Sequence, residues 1–309
     1  MKPLIVILGP TGAGKSELAL GVAEAFRGEV INCDSLQTYR YFDIGTAKLR
    51  PEERRGIPHH LIDILDPDQV FSAGDYTRAA RQTLAELAKA GRLPVIVGGT
   101  GFYLRALVDG LFRGPSRDEA LRARLAAKEQ RRAGTLHRLL RRLDSETATR
   151  IHARDVPKLI RALEICVLAR RPASELFQSG RDALVGYRAL KLGLWPDRDA
   201  LYQRLDRRSE QMFATGLVDE VRQILARGFP PESKPFESHG YRQALQLLRG
   251  ELNLKDAIFY AQRNTRRYAK RQMTWFRREA GVEWLRGFGD DPDLQTAALE
   301  RVRIFLTSF

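Results

Sequence analysis

Pro3-Leu4-Ile5-Val6-Ile7-Leu8 runs directly into Gly9-Pro10-Thr11-Gly12-Ala13-Gly14-Lys15-Ser16, and Leu18, Ala19, Val22, Ala23 and Phe26 follow at helical spacing. The first run is apolar and rich in β-branched residues, so it reads as a buried strand that stops at Gly9. The octet matches G-x-x-x-x-G-K-[ST] in full, and Ser16 to Phe26 supplies the helix that the motif requires after it. In such a loop the glycines let backbone N–H groups turn inward around phosphate oxygens. The helix N-terminus adds partial positive charge. Lys15 offers a mobile ammonium to a terminal phosphate, and the Ser16 hydroxyl is placed to reach Mg²⁺. Gly9, Pro10, Thr11, Gly12, Ala13, Gly14, Lys15 and Ser16 are therefore candidate diphosphate- or nucleotide-binding residues, with Ser16 the candidate metal ligand.

Glu29 to Cys33 and Leu93 to Val97 read as further strands, and Ser72 to Ala90 as a helix ending at Gly91. Strand, helix and strand in this order predict an α/β fold, a P-loop NTPase-like parallel sheet. Ligands bind such sheets at the carboxyl ends of the strands. Three polar or glycine-rich clusters, 9–16, 34–37 and 98–101, fall at predicted strand ends. After Gly114-Pro115 the texture changes: 117–182 reads as helical and basic, without a convincing strand. This predicts a helical subdomain of about 116–184 inserted into a core formed by 1–115 and about 185–309. Lys191 to Leu194 is expected to return to the sheet. Asp199–Arg227 and Asn253–Arg278 read as long helices separated by a Pro/Gly-rich loop at 228–240.

Composition removes several classes of protein. The 309 residues are 43% hydrophobic and 29% charged, an ordinary globular balance. Two cysteines, Cys33 and Cys166, exclude a disulfide scaffold and a four-cysteine zinc site. No histidine makes metal-ligand spacing with a cysteine, and no serine has a nucleophile-elbow context. No apolar run is long enough for a membrane span, and the N-terminus leaves no room for a signal peptide, so a cytoplasmic protein is expected. The net charge of +14 is confined to 113–309; residues 1–112 are balanced. A basic, arginine-rich surface predicts a polyanionic partner. In Gln262–Arg278 seven cations alternate with Tyr268, Trp275 and Phe276, and no acid intervenes. Arg263, Arg267 and Arg271 recur at i, i+4, which suits a phosphate backbone.

The loop alone does not name a reaction. A standard P-loop NTPase or small-molecule kinase needs a carboxylate that organises Mg²⁺, commonly an Asp ending an apolar strand. Here Leu93–Val97 ends in Gly98-Gly99-Thr100-Gly101, and the carboxylate follows the second strand as Asp34. Asp34 is placed to take a proton from an attacking hydroxyl or amine while the loop holds a leaving diphosphate. Gln37 both donates and accepts, as recognition of a base edge requires. A small-molecule P-loop kinase stays open as the alternative at this point.

Taken together, GPTGAGKS (9–16), DSLQTYRYFDIGTAK (34–48), PHHLIDILDP (58–67), VGGTGFYLRAL (97–107), RIHARDVPKLIRALEI (150–165), GYRQ (240–243) and TRRYAKRQMTWFR (265–277) resemble the tRNA dimethylallyltransferase (tRNA isopentenyltransferase) family along nearly the whole chain. The resemblance implies transfer of a dimethylallyl group from dimethylallyl diphosphate to the exocyclic amine of adenosine 37, beside the anticodon of a tRNA. It implies that Lys15 and Ser16 hold the diphosphate with Mg²⁺ bridging, that Asp34 is the general base and that Thr100 orients the substrates. Ser35, Leu36 and Gln37 would contact tRNA around the target base, and Arg122 would touch it from the insertion. Arg208 would face the diphosphate. Where the family often shows Gln-Arg, this chain has Pro157-Lys158; Lys158 and Arg161 retain charge for phosphate, whereas Pro157 offers no polar contact. A monomer working on the anticodon stem-loop, with no membrane partner, is the expectation.

Overall fold

A computed structural model describes residues 1–178 and 180–309. The chain divides into two compact units, Met1–Leu107 with Val185–Phe309, and Val108–Leu184. In the first unit, among the described residues, β1 (Lys2–Leu8), β2 (Gly28–Asn32), β3 (His59–His60), β4 (Leu93–Gly98), β5 (Tyr187–Leu194) and β6 (Val282–Leu285) form one sheet in the order β3-β2-β4-β1-β5-β6. Every pair is parallel, with Ile5 opposite Val95, Ile31 opposite Ile96 and Leu8 opposite Gly193.

The apolar run of β1 is continuous because both faces of the sheet are covered. Ile5 and Ile7 join Leu18 and Val22 of α1 (Lys15–Ala25), Val95, Leu192, and Ala298 and Val302 of α13 (Pro292–Leu306). Leu4, Val6 and Leu8, at most 1% exposed, alternate to the other face. α2 (Ala73–Lys89) packs against β4 and β2. Ser72 caps it reciprocally: the Asp75 amide donates to Ser72 Oγ (3.2 Å), and the Ser72 amide donates to Asp75 Oδ2 (2.9 Å).

Several boundaries differ from the sequence reading. The stretch 199–227 is two helices, α9 (Arg198–Ala214) and α10 (Leu217–Ala226), because Gly216 takes φ 109° between them. Apolar periodicity continues across that break, so pattern alone does not reveal it. β5 begins at Tyr187 rather than Lys191. β3 has two residues and β6 four, too short to show a period. The 228–240 loop holds a 3₁₀ turn at Lys234–Glu237, and α11 (Tyr241–Leu248) follows. α12 (Leu254–Phe276) starts at the Asn253 cap, whose Oδ1 accepts from the Asp256 amide at 2.9 Å.

The second unit is helical: α4 (Glu119–Arg131), α5 (Thr135–Leu143), α6 (Ser145–Arg150), α7 (Val156–Ala169) and α8 (Ala173–Gln178). Leu125, Leu136, Leu140, Leu159, Leu163 and Leu176 form a core of its own. Its entering and leaving segments are tied by the bonds Asp182 N–H to Leu111 O (3.0 Å) and Leu184 N–H to Val108 O (3.0 Å).

Candidate active site

Strand order brings the three sequence clusters together. β2, β4 and β1 are adjacent, with Asn32 opposite Val97 and Leu8 opposite Gly98. Their carboxyl ends therefore deliver 34–37, 98–101 and 9–16 to one place. Thr100 Oγ1 accepts the Ser35 amide at 3.0 Å and lies 3.3 Å from Ser35 Oγ, while the Thr100 amide donates to Cys33 O at 3.1 Å. The Asp34 amide donates to Asn32 Oδ1 (2.9 Å), and Asp34 Oδ1 accepts the Leu36 amide (2.9 Å). Asp34 Oδ2 accepts no hydrogen bond from the described chain, so one carboxylate oxygen is available to a ligand.

In the phosphate loop, Gly14 caps α1 at φ 82°, and a Cβ there would come within 2.5 Å of Asp290 Oδ1. Only glycine fits both the left-handed conformation and the close approach. Lys15 folds back to donate from Nζ to Pro10 O at 2.8 Å. Burial pulls its pKa down to about 8, opposed by the Asp34 carboxylate and reinforced by the Arg208 guanidinium. Arg208, on α9, is lowered to about 10, chiefly by burial, with Asp34 opposing and Arg204 adding to the shift. Neither cation has a carboxylate ion-pair partner among the described residues. Two desolvated cations without a paired acid form a site for an anion.

A cavity opens beside them. Thr11, Asp34, Arg208 and Tyr268 line it together with Leu36, Leu205, Met212, Phe213 and Leu217. One wall comes from the loop at 43–46, which is clasped from outside. Glu220 accepts the amides of Asp43 (3.2 Å) and Ile44 (2.8 Å), and the Tyr241 hydroxyl donates to Glu220 at 2.5 Å. Buried Lys48 closes the same loop by donating to Asp43 (2.6 Å), Asp63 (2.6 Å) and Tyr39 O (2.8 Å). The Gln37 side chain donates to Thr46 O at 3.1 Å.

No local sequence pattern marks His239 or Gln272 as a site group, and Tyr268, interleaved among the basic residues of 262–278, lines the cavity. His239 lines the cavity, with its ring 5.2 Å from that of Tyr268. Burial, with Arg271 and Arg242 adding to it, lowers its pKa to about 4, so the imidazole is neutral near pH 7. A neutral native histidine opposes protonation in the fold. Stability is therefore expected to be complete above the unfolded value near 6.5 and to decline as pH falls from there toward 4. Thermal melts between pH 7 and pH 4 should show less acid loss for His239→Gln than for wild type; equal loss would exclude this histidine as a cause.

The remaining predicted residues, Arg122, Lys158 and Arg161, lie in the second unit. Arg122 (3.1 Å) and Arg161 (2.6 Å) both reach Glu164 Oε2, and Glu164 is fully buried. Arg161 also donates to Pro115 O at 3.0 Å. Exposed Lys158 pairs with Asp155 at 2.5 Å. Pro157 sits in the first turn of α7, where a missing N–H costs nothing. On α12, Arg267, Lys270 and Arg271 are exposed, Arg266 pairs with Asp206, and Phe276 is a core anchor at 1% exposure. Trp275 lies under the Arg105 guanidinium, 4.5 Å from the ring centroid.

The model of the IPP transferase family matches residues 37–279. A tRNA dimethylallyltransferase of Solibacter usitatus is 67% identical over 98% of this chain and 99% of its own length. One from Koribacter versatilis is 52% identical over 97% and 98%. The chain belongs to the tRNA dimethylallyltransferase family. Among solved structures of that family, the full-length tRNA isopentenylpyrophosphate transferase from Bacillus halodurans shares 37% identity, with a TM-score of 0.73 covering all of this chain and 96% of the other. A eukaryotic dimethylallyltransferase described as acting on tRNA gives a TM-score of 0.87 at 28% identity, over all of this chain and 80% of the other. The kinase alternative is not favoured. No helix among the described residues is long and apolar enough to cross a membrane.

Proposed function

We propose that the protein transfers the dimethylallyl group of dimethylallyl diphosphate to the N6 amine of adenosine 37 in tRNA and releases diphosphate. The observation that carries this reading is one cavity joining Asp34, Arg208 and an apolar wall at the mouth of the phosphate loop. The apolar wall suits a five-carbon allylic group. The unpaired Lys15 and Arg208 suit its diphosphate. Asp34 faces the nucleophile.

As the N6–carbon bond forms, the bond from the allylic carbon to oxygen breaks and its electron pair leaves on the diphosphate. Lys15, Arg208 and the loop amides stabilise the charge that grows there. The proton lost by the amine passes to Asp34, whose Oδ2 is available; Leu36 N–H fixes the other oxygen. Thr100 holds Ser35, and through it the base-bearing turn, beside the loop. The adenine must leave its stack to reach this cavity, a step cheaper in a loop than in a duplex. Among the described residues no group of three or more His, Cys, Asp or Glu forms a metal cage. The Ser16 hydroxyl, at the start of α1 beside the loop, would hold Mg²⁺, and the ion would neutralise charge growing on the leaving group.

For tRNA, the exposed cations of α12 would meet the anticodon stem-loop backbone, with Ser35, Leu36 and Gln37 at the base. Arg122, Lys158 and Arg161 are offered to phosphate from the second unit; the first and third would do so while keeping Glu164. Arg267→Ala with Arg271→Ala should weaken tRNA binding and lower the slope of log affinity against log salt by about 1 to 2. An unchanged slope would make this face a merely solvated one. The deciding experiment incubates protein, Mg²⁺, unmodified tRNA and dimethylallyl diphosphate and weighs the digested nucleosides by mass spectrometry. An adenosine heavier by one dimethylallyl group is expected; ATP consumption without that product would restore the kinase reading.

A further inference from the structure

Gln272 is 5% exposed and lies on the inner face of α12. Its Oε1 accepts the Thr11 amide of the phosphate loop at 2.8 Å, and its Nε2 donates to Gly99 O at 2.9 Å. One amide therefore spans the loop and the turn that carries Thr100. The fit is tight: a Cβ on Gly99 would stand 2.2 Å from Gln272 Nε2, and one on Gly101 would stand 2.3 Å from Trp275. The glycines of this second turn thus admit α12. The same helix exposes Lys270 and Arg271.

We propose that Gln272 is a positioning residue that sets the phosphate loop against the Thr100 turn and joins both to the helix that meets tRNA. This rests on the transferase reading above. Because Thr11 N–H is committed to Gln272, the loop presents its other amides, with Lys15, to the diphosphate. The bond to Gly99 fixes the start of the turn from which Thr100 holds Ser35 and, next to it, Asp34. Asn carries the same amide on a stem one methylene shorter; an acceptor alone would release Gly99, and a donor alone would release Thr11.

Gln272→Met keeps the volume and removes both bonds; Gln272→Glu keeps the acceptor, loses the donor and sets a carboxylate against a carbonyl. Affinity for inorganic pyrophosphate, measured by calorimetry, is expected to fall about tenfold or more in Met and further in Glu. In the transfer assay kcat should fall by a similar factor while KM for tRNA stays close to wild type; the melting temperature should drop by some degrees, since two buried backbone groups lose their partner. Gly99→Ala attacks the same contact from the turn and should reproduce the pattern. Pyrophosphate affinity and kcat unchanged in Met would overturn the proposal. So would a loss spread equally over pyrophosphate and tRNA, since that is what a purely structural residue gives. The pyrophosphate measurement does not depend on prenyl transfer. Wild type that binds pyrophosphate yet modifies no adenosine would refute the transferase reading, not this one.

Discussion

Asp34→Ala is expected to cut turnover by at least ~10²-fold and to leave tRNA binding nearly intact. The carboxylate stands at the end of β2, where one oxygen is tied to Leu36 N–H and the other accepts nothing from the described chain. An exocyclic adenine amine is a poor nucleophile, so the transition state needs an acceptor for its proton. Asp34→Asn separates this role from a structural one, because an amide oxygen still accepts from Leu36 N–H but takes no proton. Both variants should lose kcat and kcat/KM together, the signature of an interaction made in the transition state. Normal turnover in Asp34→Asn would remove the residue from the base role.

Lys15→Ala carries the second large effect, a loss of about 10²–10³ in kcat with weaker binding of the allylic diphosphate. Its ammonium has been taken from water and is held by Pro10 O at 2.8 Å, with no carboxylate in direct ion-pair contact among the described residues and Asp34 acting on it only from farther off. Such a cation gains most when a diphosphate arrives, and gains further as negative charge develops on the leaving oxygens. Arg208→Ala should act in the same direction by a smaller factor, because Lys15 and the loop amides remain. Single-turnover rates at saturating tRNA, read against allylic diphosphate concentration, separate binding from chemistry. A Lys15→Ala enzyme with wild-type rate and affinity would place the diphosphate elsewhere.

Gly9–Ser16, Asp34 and Thr100 were legible because each ends an apolar strand, and strand ends in a parallel sheet are where ligands bind. The short edge strands β3 and β6 were not legible, since two and four residues carry no period. The helix break at Gly216 was hidden because the apolar pattern runs through it. Gln272 left a faint trace: it falls on the buried stripe with Ala269 and Phe276, where a polar side chain needs partners. Its partners, Thr11 and Gly99, are 261 and 173 residues away, so no local pattern names them. Arg161 and Glu164 stand at i, i+3 on one helix, a local pair, whereas only the fold brings Arg122 to the same carboxylate.

The phosphate loop, the α/β alternation and the residue types a prenyl transfer requires are all legible along the chain, because backbone geometry and short-range spacing encode them. The tertiary structure alone decided which strands are neighbours, hence that Asp34, Thr100 and Lys15 share one site. It also decided which cations lack acids and which amide locks the loop, since burial and pairing depend on residues far apart in the chain.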